Sequence, residues 1–275
     1  MSDEQPLRGR TAIVTGASSG IGRATAMHLA LAGAHVFLAG RSRSALEELQ
    51  AQIAGAKGRS DVVTLDLRDT NQINALVDRA VQQTDRLDIM VNNAGIEFPA
   101  SIVEGNVDDW RSMLETNVLA LLVGCQAAVK AMRSCSAEGH IVNVSSVSAQ
   151  RSNSGVYGAT KHAVNTISAS LRDELEGDTI RVVNVMPGAT STNFARNFPM
   201  AFVDQILGLS GMEADFRPGE HLPPEVLEEL AGNLKQMLCS PDDVARAVLF
   251  AVTQPIHVNV ADITVRPPRA MTLAH

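Results

Sequence analysis

Aromatic side chains are scarce in this chain. They make up 3% of its 275 residues: seven Phe, one Trp (Trp110) and one Tyr (Tyr157). So few rings argue against a surface built to stack bases or sugars. Cysteines are also few, and Cys125, Cys135 and Cys239 are odd in number with no CxxC pair. That usage argues against a disulfide framework and predicts a reduced, cytoplasmic setting. Positive charge is in deficit: 23 Lys+Arg against 30 Asp+Glu leave a net charge of −7. An acidic chain lacks the basic stripe that phosphate backbones demand, so no nucleic-acid partner is expected. The longest near-apolar run, Val118–Val129, falls short of the ~20 residues of a membrane span. The opening Met1-Ser2-Asp3-Glu4 is polar and acidic, unlike a secretory leader. The seven histidines are scattered, with no HExxH or clustered spacing, so no metal is expected.

What is present is apolar residue in quantity, 45% of the chain, enough for one large core without staples. Short apolar runs of strand length fall at 11–15, 35–39, 62–65, 87–91, 140–144, 181–185 and 261–265. Helical spacing fills 22–32, 42–54, 71–84, 107–133, 155–176 and 242–252. Alternation of this kind predicts a doubly wound, Rossmann-like α/β domain over residues 1–275, with a parallel seven-stranded sheet. One stretch, about 193–240, lacks a strand and carries several Gly and Pro residues. It reads as a helical lid in which Pro223-Pro224 opens a helix with Val226, Leu227, Leu230, Leu234 and Met237 on one face.

Three motifs carry chemistry. Thr15-Gly16-Ala17-Ser18-Ser19-Gly20-Ile21-Gly22 follows the first strand and opens the first helix. Glycines there let a backbone approach a pyrophosphate, and the helix start offers unpaired N–H groups. About 20 residues further on, where an NAD-type fold sets an acid on the ribose hydroxyls, this chain has Gly40-Arg41-Ser42 and no acid from Val36 to Ser44. A guanidinium forks onto a phosphate and an acid repels one, so Arg41, with Ser42 or Arg43, favours NADP(H). The bland alternative is an exposed arginine at a helix start. Third, Tyr157 and Lys161 sit at i and i+4 on one helix. An ammonium there is expected to pull the phenol pKa down from about 10, making Tyr157 a general acid for a carbonyl or base for an alcohol. The pair follows a strand ending in Val144-Ser145-Ser146, at the sheet edge where open α/β folds bind ligands.

Together these residues resemble the short-chain dehydrogenase/reductase family through nearly the whole chain. Gly16, Ser18, Ser19, Gly20, Ile21 and Gly22 match its TGxxxGxG cofactor motif. Asn92-Asn93-Ala94-Gly95 resembles its NNAG, implying that Asn93, Ala94 and Gly95 line the cofactor. Asp66-Leu67 matches the pair that contacts adenine, and Pro187, Gly188, Thr190 and Thr192 match the turn near the nicotinamide carboxamide. Asn117, Ser146, Tyr157 and Lys161 resemble the catalytic tetrad. The likeness implies that Tyr157 protonates the carbonyl oxygen, Ser146 polarises it, and Lys161 binds the nicotinamide ribose. Asn117 would hold a water linking Lys161 to solvent. It also implies a homodimer or homotetramer through the helices 107–133 and 155–176. The loop between Ser146 and Tyr157 is shorter than is common in the family, so Ser145 stays open as the alternative serine.

The lid holds four of the seven phenylalanines, Phe194, Phe198, Phe202 and Phe216, with Met200, Ile206, Leu207, Leu209 and Met212. These predict an apolar, medium-sized carbonyl or alcohol substrate; the alternative is that they pack the lid onto its own domain or onto a neighbouring subunit. Glu97, Phe98, Gln150, Asn153 and Val156 are expected to line the same pocket. Rival readings are a 3-oxoacyl-type reductase and a non-catalytic dinucleotide sensor. The filled tetrad argues against the sensor, and the scarcity of lid cations (Arg196, Arg217, Lys235) against a partner acidic carrier protein.

Overall fold

Seven short strands line up side by side, the central ones apolar enough to be covered on two faces. In the computed structural model, which describes residues 5–212, 217 and 219–269, they are β1 (Thr11–Thr15), β2 (His35–Gly40), β3 (Arg59–Thr64), β4 (Ile89–Asn92), β5 (Gly139–Val144), β6 (Ile180–Pro187) and β7 (Asp262–Val265). Their order is β3-β2-β1-β4-β5-β6-β7, and every pairing is parallel. This is the Rossmann-like α/β domain read from the sequence. The chain reverses direction across the sheet between β1 and β4, the place where such folds open a ligand crevice.

Helices cover both faces: α1 (Gly20–Leu31), α2 (Arg43–Gly55) and α9 (Pro241–Val252) on one, α3 (Thr70–Thr84), α5 (Ala120–Ser134) and α6 (Gly155–Glu174) on the other. Val14, Val36, Leu38 and Val91 point to the first face, and Ile13, Phe37, Met90 and Ile141 to the second. Fully burying each such side chain contributes about 1.5–3 kcal/mol. Two strands depart from the expectation of uniform apolarity. β3 begins at Arg59, three residues before its apolar run, because Arg59, Ser60 and Asp61 pair in register with β2 at an edge. β7, the other edge, has an alternating exposed and half-buried pattern.

The long helix expected over 107–133 is not one α-helix. α4 (Val107–Leu114) passes into a π turn, Glu115–Leu119, before α5 begins. Apolar spacing is the same on either side, so the break left no trace in the periodicity. Taken through the turn, Val107–Ser134 is long and apolar enough by length and composition to cross a membrane, but half of its most apolar stretch is buried in the domain. It packs on α3 and β4 as a core helix.

The base of the sheet is tied by charge. Asp88, 1% exposed, accepts from the Thr11 amide at 2.8 Å and pairs with both Arg10 (3.1 Å) and Arg86 (2.6 Å). Three donors on one carboxylate satisfy a buried charge that would otherwise be costly.

Candidate active site

The glycine turn is held from below by one threonine. The Thr15 hydroxyl donates to Val91 O and accepts from the Asn93 and Ala94 amides at 3.0 and 3.2 Å, while Asn93 Nδ2 donates to Thr15 O at 2.9 Å. Gly16 and Gly20 adopt φ of +68° and +54°, a region that suits glycine. At Gly22 a Cβ would fall 2.3 Å from Gly16 O and 2.4 Å from Asn93 Nδ2. Only a bare backbone fits here, and it leaves a cradle at the start of α1. Ser19, the N-cap of α1, makes no side-chain cap bond, and the first turn has no acid. Those free N–H groups and the absent side chains suit a dinucleotide pyrophosphate. Ser18 lies beside Gly40, which brings the end of β2 and the following Arg41 and Ser42 to the same turn. Ile21 faces the core.

Asp66 and Leu67 follow β3. The Asp66 carboxylate is held by Arg68 through Nε and Nη2 at 3.1 and 2.6 Å, which lowers its pKa. Leu67 packs on the core. Across the crevice, Pro187 ends β6 and Gly188 donates to Val265 O, at 2.7 Å. The Thr190 hydroxyl donates to Gly188 O at 3.0 Å. Thr192 rests on the glycine turn: a Cβ at Gly20 would meet its Cγ2 at 3.0 Å.

The four tetrad candidates converge in the same crevice. Asn117 sits in the π turn, 1% exposed. Its Oδ1 accepts from Ile96 N at 2.9 Å, and its Nδ2 donates to Ile96 O (2.9 Å) and Thr160 Oγ1 (3.1 Å). Its amide thus clamps the segment after Gly95. A Cβ on Gly95 would lie 3.4 Å from both Asn117 Oδ1 and Lys161 Nζ. Lys161 Nζ donates to Val144 O at 2.8 Å and stands 5.9 Å from the Tyr157 ring centre. The two serines divide. Ser145 Oγ lies 2.6 Å from Asn165 Oδ1 and 3.0 Å from Lys161 O, so it braces α6. Ser146 accepts from Ser148 N at 3.1 Å and stands next to the Tyr157 phenol.

Electrostatics correct one expectation. Burial, followed by the Glu97 charge, raises the Tyr157 pKa well above that of a free phenol; Ser146 opposes them. Burial lowers Lys161 to about 8, with Glu97 pulling the other way. Glu97 is itself raised to about 7 by burial, against the pull of Lys161. Desolvation is the largest cause for all three groups. Spacing could place Tyr157 and Lys161 on one face, and Glu97 was expected to line the same pocket, but the sequence carried no information on how deeply the three are buried.

The segment 193–240 forms its own small core. α7 (Met200–Leu209) and α8 (Pro224–Asn233) join Val203, Leu207, Leu222, Leu230, Leu234 and Leu238, with Phe198, Phe202, Ile206 and Met212 packed around them. Leu238, beyond the end of α8, joins this core, and Met237 does not. Phe198 and Phe202 face each other at 5.1 Å, and Leu209 is exposed. Only Phe194 among the described lid rings reaches the tetrad, 5.5 Å from Tyr157; Phe216 lies outside the described residues. The lid's aromatics therefore serve its own packing more than the crevice. Asn197 Nδ2 donates to Glu97 O at 3.2 Å and ties this segment to the loop after Gly95. Exposed Gln150 reaches Met186 Sδ at 3.5 Å, Phe98 and Val156 are half-buried, and Asn153 is exposed.

Comparison with known proteins agrees with this geometry. A family model described as short chain dehydrogenase matches residues 10–201. An uncharacterized oxidoreductase of Staphylococcus aureus (strain USA300) is 34% identical over 263 residues, covering 95% of this chain and 98% of that protein. A short-chain type dehydrogenase/reductase from Mycobacterium marinum superposes with a TM-score of 0.79 at 25% identity, covering 96% of each chain. A metagenomic short-chain oxidoreductase solved in complex with NADP gives 0.73 at 26% identity, over 98% of this chain and 100% of that one.

Proposed function

The chain belongs to the short-chain dehydrogenase/reductase family of oxidoreductases, which act on small molecules with a nicotinamide dinucleotide, and on that premise we propose an NADP(H)-dependent enzyme that interconverts a carbonyl and a secondary alcohol on an apolar, medium-sized substrate. The observation that carries this reading is the buried Tyr157 phenol flanked by Ser146 and Lys161. The cradle of Gly16, Ser18, Ser19, Gly20, Ile21 and Gly22 holds the pyrophosphate. Arg41 and Ser42 meet the adenosine ribose end, with Asp66 and Leu67 beside the adenine. Asn93, Ala94, Gly95, Pro187, Gly188, Thr190 and Thr192 line the rest, and Lys161 meets the nicotinamide ribose. When bound, the nicotinamide gives or takes the hydride.

The chain itself handles the proton. Tyr157 donates its phenolic proton to the substrate oxygen in reduction and takes it back in oxidation. Ser146 donates a hydrogen bond to the same oxygen and stabilises the charge developing there. The freedom of its hydroxyl, against the engaged Ser145, supports Ser146 in this role. A phenol held neutral by burial suits the acid role. Lys161 supplies positive charge that stabilises the phenolate left behind, and Asn117 fixes the loop that Lys161 faces. Phe194 gives the pocket its apolar wall, with the segment 193–240 as the lid of a single domain spanning 1–275.

NADP is favoured over NAD by Arg41 in place of an acid, and by the NADP complex of the metagenomic relative. A homodimer or homotetramer is supported by Val107, Leu114, Leu119 and Leu122, exposed along α4, the π turn and α5. The free cysteines suit a cytoplasmic location. The test is NADPH oxidation with a panel of apolar ketones by the wild type and Tyr157→Phe. The wild type turns over and the variant is slower by about 10²–10⁴-fold, with NADPH binding retained. Binding without turnover by both proteins overturns the enzyme reading.

A further inference from the structure

Three basic residues from separate segments stand around the glycine turn, near enough to feel one another's charge. Arg41 follows β2, Arg196 lies in the short 3₁₀ turn Asn193–Asn197, and His221 precedes α8. Their backbones are fixed around the cradle. Gly40 abuts Ser18 on one side of it, and Thr192 rests on Gly20 at the other. Asn193 accepts from Leu222 N at 2.6 Å and donates to Leu222 O at 3.2 Å, and Gly219 N donates to Arg196 O at 2.9 Å. The loop bearing His221 is thereby tied to the turn bearing Arg196.

The charges of this group are unmatched. Around the same turn, Arg23 pairs with Glu48, Arg43 with Glu47 and Arg68 with Asp66. Neither Arg41, Arg196 nor His221 has a carboxylate partner among the described residues. The Arg196 guanidinium makes one bond, from Nη1 to Asn193 O at 3.1 Å. α2 starts two residues after Arg41, with its N-cap Ser42 making no side-chain cap bond and no acid in the first turn. The cations also feel one another: partial burial and the Arg41 charge hold Arg196 below its ordinary range, and partial burial, Arg196 and Arg41 do the same to His221. Like charges held together at an uncapped helix start are unfavourable until an anion joins them.

We propose that Arg41 and Arg196, with His221 beside them, form a two-sided clamp for a phosphomonoester dianion, the phosphate on the adenosine ribose of NADP(H). Cofactor discrimination is then shared between the lid and the end of β2. The inference rests on the NADP reading above. A guanidinium on each side of a dianion supplies forked, charge-assisted hydrogen bonds that one arginine cannot.

The test uses the full chain, with adenosine 2′,5′-bisphosphate and 5′-AMP as probes that differ only in the 2′-phosphate, followed by equilibrium titration. Wild type is expected to favour the bisphosphate by about tenfold or more. Arg41→Ala and Arg196→Gln each lose most of that preference with 5′-AMP binding nearly unchanged; His221→Gln loses less, and Arg196→Lys retains part. In wild type, the bisphosphate slows backbone hydrogen exchange over 193–212 more than 5′-AMP does, a readout independent of whether any variant folds. Equal binding of the two probes by wild type overturns the NADP reading and the clamp with it. A preference that Arg41→Ala abolishes and Arg196→Gln leaves intact overturns the clamp alone. So does an equal loss of both probes in Arg196→Gln, which assigns that side chain to the 5′-phosphate, and so does equal exchange protection by both probes.

Discussion

The two ends of the strands treat charge in opposite ways. At the base, Asp88 is buried with an amide and two guanidiniums around it, and Arg10 goes on to meet Glu138. At the carboxyl ends of the strands, Arg41 and Arg196 have no acid among the described residues, and Glu97 shares a desolvated pocket with Lys161 and Tyr157. One end spends its charges on holding strands together. The other keeps them unneutralised, available to a ligand. Perturbed titration gathered in a crevice is the pattern expected of a working site.

The largest effect is expected at the base. Asp88→Ala removes the carboxylate that Arg10, Arg86 and Thr11 N share, and should lower unfolding free energy by about 3–5 kcal/mol. Urea melts measure this loss, and turnover per folded molecule should hold. A drop in kcat without loss of stability would break the division between the two ends.

His140 gives a smaller, pH-dependent effect at the same base. It is buried, its Nε2 has no partner among the described residues, and burial with the nearby Arg10 and Arg181 charges lowers its pKa from 6.5 to about 4. A base depressed in the folded state contributes stability that is full above pH 6.5 and lost as pH falls toward 4. The shift corresponds to at most about 3 kcal/mol. Glu97, raised from 4.5 to about 7, acts in the opposite sense: its contribution is present below pH 4.5 and is lost as pH rises through 7. Thermal melts of wild type and His140→Gln across pH 4–7 separate the two, and the variant should show the flatter acid limb. Parallel limbs would remove His140 from the account.

The smallest effect lies at the site. Glu97→Gln removes a negative charge that raises both Tyr157 and Lys161, so the alkaline limb of the pH–rate profile should move down by less than about one pH unit. Stability near pH 8 should be equal or higher, because an ionised buried carboxyl is gone. An upward displacement of the limb would show that Glu97 acts on the phenol by some path other than its charge.

The sheet was legible because its central strands are apolar end to end and alternate with helical spacing. Edge strand β3 was only half legible: its first residues are polar, and their pairing with β2 depends on a neighbour far along the chain. The glycine turn, Tyr157 and Lys161 announced themselves by spacing. Thr15 did not, because its hydroxyl matters only through Asn93 and Ala94, brought alongside by the β1–β4 pairing. Arg196 and His221 were hidden for the same reason, since their relation to Arg41 exists only once the lid folds back. The lid phenylalanines left two readings open, because composition does not distinguish a ring facing a ligand from one facing the lid's own core.

The π turn at Glu115–Leu119 reaches beyond Asn117. An α-helix advances about 100° per residue, so the surplus residue of a π turn resets the rotational phase of everything after it. The side chains of α4 and those of α5 are therefore clocked independently. Upstream, Trp110 sits against Gly105 at the loop leading in; downstream, Leu121, Cys125 and Met132 keep their place in the core. Deleting a single residue within the turn would restore a continuous α-helix and force one of these two alignments to yield. The crevice and the core would then compete for the same rod.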